Sequence, residues 1–199
     1  MGTKNVELIK AYICEEFTKK HAKKWHQKNS EIRPIDPHLK SQTRENFYQL
    51  TRPLFLKYSQ EIEKLNRDDL MLLIAFAYSW MPTIPKVSYS LNIDERLNKA
   101  VLFINKIKSW DIDIKKLDSY LEEFENLKTF TNNSYVGMSK VLHFINPKLF
   151  CIYDSRVLKK IAKMTGEKKV SFINLNKVLY QISEETGYSM EQIDLLLWQ

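Results

Sequence analysis

The scarcity of glycine and proline is the feature that most limits what this chain can fold into. Four glycines and six prolines are spread over 199 residues, against ten phenylalanines and ten tyrosines. A sheet protein needs many tight turns, and those turns depend on glycine and proline. Helices joined by short connections need few of either. The composition therefore predicts an all-α protein, a compact domain of several helices.

Apolar residues recur at helical spacing along most of the chain. The pattern predicts helices over about 5–28, 41–65, 94–110, 114–127, 155–164 and 172–186. Residues 70–81 are apolar on nearly all sides, which predicts the buried central helix of the domain. Residues 87–91 alternate between apolar and polar side chains, so a brief extended piece is expected there. Ser189 and Gln192 have the spacing of a capping box, which predicts a short last helix whose apolar tail docks on the body.

No linker, internal repeat or low-complexity segment divides the sequence. Residues 1–199 are therefore expected to form a single domain, or two helical lobes in close contact. No apolar run approaches the length of a membrane span. The N-terminus lacks the apolar core of a signal peptide, and Val6 breaks the myristoylation pattern, so a cytoplasmic protein is expected. Cys14 and Cys151 show no metal-binding spacing, so we expect reduced core cysteines, no metal site and no cofactor.

The positive charge is concentrated in two regions. The formal net charge is +7, with nine basic against five acidic residues in 1–40 and eight against two in 135–170. Residues 111–126 instead hold six acids and two lysines. This division predicts one surface that faces a polyanion and another that faces away from it. Residues 18–28 (TKKHAKKWHQK) are one candidate for phosphate contact, because lysines there flank Trp25.

Residues 135–158 (YVGMSKVLHFINPKLFCIYDSRVL) hold the candidate chemistry. An apolar helix is predicted over 138–146, Asn146-Pro147 ends it, and Asp154 opens the next helix fourteen positions after Lys140. Gly137 would let a phosphate approach the helix start, where free N–H groups favour an anion. This order of elements predicts that Lys140 and Asp154 meet at one cleft.

The same residues resemble the helix-hairpin-helix superfamily of DNA glycosylases, which excise damaged or modified bases. In that family the hairpin grips the DNA backbone, and in lyase-competent members a lysine attacks the sugar. An aspartate after the second apolar run supports the chemistry. The resemblance implies that Lys140 is the nucleophile and Asp154 the catalytic carboxylate. It also implies that Gly137 and Ser139 hold the DNA backbone, although this chain has one glycine where the family's hairpin has two.

On this interpretation the partner is duplex DNA with its target base flipped out. Lys140 must be neutral to attack C1′, and neighbouring apolar residues would lower its pKa. Asp154 would stabilise positive charge on the sugar. The candidate phosphate-binding residues on the next helix are Arg156, Lys159, Lys160 and Lys163. The candidate walls of the base pocket are Tyr135, Trp80 and His143, with Tyr78, Phe144 and Trp198 as further aromatics.

These residues also have ordinary roles. Asp154 is a good helix N-cap, Lys140 suits a solvated helix face, and His143 suits a hydrogen-bonded core position. Two other functions therefore stay open. One is a non-catalytic nucleic-acid-binding module that keeps the fold and the basic face. The other is a small helical interaction or regulatory protein, of the phage-defence type, in which the charge asymmetry serves protein partners.

Overall fold

The computed structural model describes residues 1–21, 53–55, 57–79, 81, 83–84 and 92–198, and across these ranges the regular structure is helical, without a strand. The α-helices are α1 (Thr3–His21), α2 (Arg67–Ser79), α3 (Ile93–Lys108), α4 (Leu121–Lys128), α5 (Tyr135–Ile145), α6 (Ser155–Thr165), α7 (Phe172–Thr186) and α8 (Met190–Trp198). A 3₁₀-helix, Ile114–Tyr120, precedes α4, and residues 53–55 and 57–61 are also helical. The all-α prediction is confirmed.

Two predicted helices differ from the structure in informative ways. The segment expected to be buried on all sides forms most of α2, yet Met71 and Leu72 are 37% and 41% exposed, because α2 buries one face against α5. The helix expected over 114–127 is interrupted, since Lys116 has φ −108° and ψ 27°, outside the helical region. The chain therefore forms the 3₁₀-helix first and α4 second.

Other predictions fall wholly or partly outside the described residues. These are the basic run beyond His21, most of the helix expected over 41–65, the extended piece at 87–91 and the base-pocket candidate Trp80. Within the described part, no helix is long and apolar enough to cross a membrane.

Two groups of buried side chains form the interior. The first lies between α2, α3, α4 and α5, and the second lies between α1, α6, α7 and α8. Helix α7 contributes to both: Phe172 and Ile173 belong to the first group, and Leu175 and Leu179 to the second. Tyr153 packs against both groups as well. The two halves of the core are thus joined through one helix and one connecting segment.

Candidate functional site

The connection between α5 and α6 is a turn at 147–149 that leads into a buried, non-helical segment. Residues 149–152 are all buried; the N–H groups of Leu149 and Phe150 donate to the Asn146 carbonyl at 3.1 and 3.2 Å, whereas those of Cys151 and Ile152 have no backbone partner among the described residues. A buried backbone without such bonds must find partners elsewhere. Side chains from the surrounding helices supply them.

Each of these partners comes from a different place in the chain. The Cys151 N–H donates to Asn176 Oδ1 on α7 at 2.9 Å, and the Ile152 N–H donates to Asp194 Oδ1 on α8 at 2.7 Å. His143 Nδ1 on α5 lies 2.8 Å from the Phe150 carbonyl oxygen. The segment is therefore fixed by three helices, and its end point at Asp154 is fixed with it.

A fourth hydrogen bond brings Lys140 and Asp154 together. The Tyr153 N–H donates to Ser139 Oγ at 2.9 Å, so the residues that precede Asp154 and Lys140 in sequence are in direct contact. The Lys140 side chain is partly buried, and this burial lowers the pKa of its amine, while the nearby Asp154 carboxylate raises the pKa by a smaller amount. Within the described part of the chain, no carboxylate lies at ion-pair distance from Lys140 Nζ. The Asp154 carboxylate is thus near enough to act electrostatically on the Lys140 amine.

Asp154 is also the N-cap of α6, as its position in the sequence predicts. Its Oδ1 accepts hydrogen bonds from the N–H groups of Arg156 at 2.9 Å and Val157 at 3.0 Å. One carboxylate oxygen thus holds the helix start. The carboxylate also acts on the Lys140 amine, so capping and electrostatic roles coincide in one side chain.

Gly137 and Ser139, both predicted to contact DNA, are buried. Gly137 lies within the first turn of α5, and a Cβ at this position would lie 2.5 Å from the hydroxyl of Tyr78. Ser139 is 0% exposed, and its hydroxyl donates to the Val136 carbonyl while it accepts from Tyr153. The sequence prediction was contact with the DNA backbone; in the fold, Gly137 permits close packing of α2 on α5, and Ser139 anchors the connection.

The base-pocket candidates have different surroundings. His143 is 1% exposed and bonded to the connection, so it is a core residue and not a wall open to a ligand. Tyr135 is half-buried. Its ring stacks on Phe172 with the two ring centroids 5.7 Å apart, and Lys128 Nζ lies 4.3 Å from the centroid of the Tyr135 ring. Tyr78 and Phe144 are buried.

The predicted phosphate-binding residues form one line on α6, which we call the basic stripe: Arg156, Lys159, Lys160 and Lys163. Their spacing of three and four residues puts them on one helix face. Val157 and Ile161 on the opposite face are fully buried in the second core group. Gly166 ends the helix in the left-handed conformation at φ 74°. The helix was predicted over 155–164 and extends one residue further, and Asp154 and Gly166 cap it as predicted.

Several cations elsewhere on the described surface form ion pairs, and the four cations of the basic stripe do not. Lys10 pairs with Glu185 at 2.6 Å, Arg67 with Asp94 at 3.0 Å and Lys99 with Glu122 at 3.1 Å. Among the residues that the structure describes, no carboxylate lies within ion-pair distance of a stripe residue. The described residues therefore leave the charge of the stripe without a neighbouring carboxylate.

Two contacts next to the stripe could not have been inferred from sequence. The Arg156 guanidinium lies 4.4 Å from the centroid of the Trp198 ring, and Lys160 Nζ lies 5.2 Å from that of Tyr12. Both aromatic residues come from distant parts of the chain. The apolar sequence of the tail predicted that the segment containing Trp198 docks on the body, but it did not predict that Trp198 contacts Arg156.

Comparison with known proteins gives no guide to this site, since no family model, curated protein or solved structure matches the chain.

Proposed function

We propose that this protein binds DNA, with the basic stripe of α6 against the phosphate backbone. The observation that carries the proposal is the clustering of four cations on one face of α6, none of which lies at ion-pair distance from a described carboxylate. Lysine and arginine side chains that neutralise phosphates release condensed counterions, and this release drives binding without any need for base contacts. A helix presenting such residues along one face has the charge and shape to follow a DNA backbone.

The experiment is the salt dependence of DNA affinity, measured by fluorescence anisotropy with a short duplex. Each phosphate contact contributes about 0.9 to the slope of log affinity against log salt. We expect Lys159→Ala with Lys163→Ala to lower that slope by about 2 and to weaken binding to all sequences alike.

The matched control is Lys64→Ala with Lys115→Ala, which removes the same charge from two exposed lysines outside the stripe. It should leave the slope close to that of the unaltered protein. An equal loss in both double variants would attribute binding to net charge alone and reject the stripe as the interface. Absence of DNA binding at low salt would reject the proposal altogether.

The second candidate function is base excision with lyase activity at Lys140, as the family resemblance implies. The observation that favours it is a partly buried amine with a lowered pKa beside a carboxylate. A lowered pKa increases the fraction of neutral amine, which is the nucleophilic form. Asp154, which opens α6, links this amine to the start of the basic stripe.

The chemistry at an abasic site balances without a cofactor. The Lys140 amine adds to the C1′ aldehyde and water is lost, which leaves an imine. Removal of a C2′ proton then expels the 3′ phosphate, and water finally releases the amine. In base excision itself, the amine displaces the base from C1′, the base leaves with the bonding electron pair, and the amine gives up a proton.

Borohydride trapping tests this candidate, because reduction of the imine joins enzyme and DNA permanently. We expect a cross-link to abasic DNA with the unaltered protein and with Lys148→Ala, which removes an exposed lysine. Lys140→Ala should give none. A cross-link that still forms with Lys140→Ala would show that another residue is the nucleophile. No cross-link, together with no base release from a panel of lesions, would reject catalysis and leave the binding proposal standing.

A further inference from the structure

A pocket of about 310 Å³ lies between α6 and the end of α8, and most of its lining residues are cationic. Arg156, Lys159, Lys160, Leu197 and Trp198 line it. The volume is at the lower end of small-ligand pockets, roughly 300–1,000 Å³. Three of the five lining residues are cations, and none of the described carboxylates lies at ion-pair distance from them. Three of the four cations of the basic stripe therefore lie around this one pocket.

Arg156 meets an aromatic ring at the pocket. Its guanidinium carbon lies 4.4 Å from the Trp198 ring centroid, within the range of a cation–π contact. The N–H donors of a guanidinium form a planar fork that matches the oxygens of a phosphate. The Arg156 side chain makes no hydrogen bond with the described residues. A rigid fork of unused donors is suited to bidentate binding of phosphate oxygens.

Lys160 is also held in place at the pocket. Its Nζ donates to the Leu196 carbonyl at 3.4 Å and lies 5.2 Å from the Tyr12 ring centroid. Lys159 is exposed beside it. Two cations with contacts to the protein and one exposed lysine thus line a single small volume.

We propose that this pocket holds a terminal phosphate of a DNA strand, an inference that rests on the proposed DNA binding. A backbone phosphodiester carries one negative charge. A terminal phosphomonoester carries about 1.5 to 2 negative charges at pH 7 and three strong acceptor oxygens. Three cations around one pocket match the larger negative charge of the monoester. A single lysine such as Lys163, further along α6, is enough to pair with the single charge of a diester. The protein on this account prefers DNA with phosphorylated ends, nicks or gaps.

The test compares one duplex prepared with 5′-phosphate, 3′-phosphate or hydroxyl ends. We expect the unaltered protein to bind one phosphorylated form about tenfold more tightly than the hydroxyl form, since charge-assisted hydrogen bonds distinguish them. Arg156→Lys keeps the charge but loses the planar fork, so the preference should fall to near onefold. Lys159→Gln, an exposed substitution, should also reduce it. Lys163→Ala should weaken binding to all forms and leave the preference unchanged.

Failure of this inference is distinguishable from failure of DNA binding. Equal affinity for all three duplexes would overturn the terminal-phosphate site while DNA binding stands. A preference that persists in Arg156→Lys and in Lys159→Gln would place the site elsewhere. A free mononucleotide that binds as tightly as the phosphorylated duplex would overturn the assignment to a strand end. No binding to any duplex would reject both proposals.

Discussion

The pKa of the Lys140 amine is lowered by burial and raised by the Asp154 carboxylate, and the balance of the two effects determines how much of the amine is protonated. Partial burial disfavours the ammonium form and lowers the pKa of the amine, whereas the Asp154 carboxylate favours that form to a smaller extent. In a folded protein such an amine costs stability whenever it is protonated, because the unfolded chain solvates it fully. The same property that favours nucleophilic chemistry thus works against the fold.

We predict that Lys140→Met stabilises the fold at neutral pH, because it removes a partly buried charge without a paired carboxylate. Between the lowered pKa of folded Lys140 and the ordinary value of 10.5, the unfolded chain binds more protons, so the stability of the unaltered protein rises with pH. The advantage of Lys140→Met should therefore be largest below the folded-state pKa and shrink above it. Urea unfolding over a pH series measures this difference.

Lys159→Met is the control, since this lysine is exposed and its replacement should alter stability little at any pH. An advantage of Lys140→Met that stays constant from neutral to alkaline pH would mean that packing, not charge, causes the gain.

Residue types in the sequence indicated some roles correctly and others not. Asp154 before a helix and Gly166 after it are local signals, and both were predicted from neighbours in the chain. Gly137 was expected to face a phosphate, yet it faces Tyr78, a residue far from it in sequence. A glycine in a helix allows close approach, but the sequence does not say what approaches.

At the scale of elements, the connection 149–153, which is buried through residue 152, leads from the helix of the candidate amine to the basic stripe. Its backbone bonds depend on side chains of α5, α7 and α8. Sequence separations of 25 between Cys151 and Asn176 and 42 between Ile152 and Asp194 explain why periodicity missed these contacts. Helix periodicity reports which face is buried, but it does not report which polar side chain on that face will meet an unpaired backbone group.

We predict that Asn176→Ala destabilises the protein by about 1–3 kcal/mol, because it leaves the buried Cys151 N–H without its acceptor. Asn174→Ala is the matched control, an exposed asparagine on the same helix. Urea unfolding measures both variants, and hydrogen exchange should show faster exchange at 150–153 in Asn176→Ala only. Equal stabilities of the two variants would show that the connection is held by packing alone.

At the scale of the whole molecule, the charge division expected from sequence acquires a structural basis. The acidic stretch 111–126 lies on the 3₁₀-helix and α4, which border the first core group. The basic stripe lies on α6, which borders the second. Opposite surface charges therefore belong to different core groups, and α7 and Tyr153 join them.

This shared helix predicts that the two core groups unfold in one transition. Leu73 belongs to the first group and Leu179 to the second, and both are 0% exposed. Replacement of either by alanine should reduce the free energy of unfolding by about 2–5 kcal/mol. Because α7 belongs to both groups, each variant should reduce the protection of the slowest-exchanging amides of α2 and of α8 by the same free energy. Hydrogen exchange followed by mass spectrometry measures this.

If Leu73→Ala lowered protection in α2 and left α8 unchanged, the groups would be independent lobes, and DNA bound at α6 would stabilise only the second of them. If the groups are coupled, the same DNA should slow exchange in α2 as well, far from the stripe.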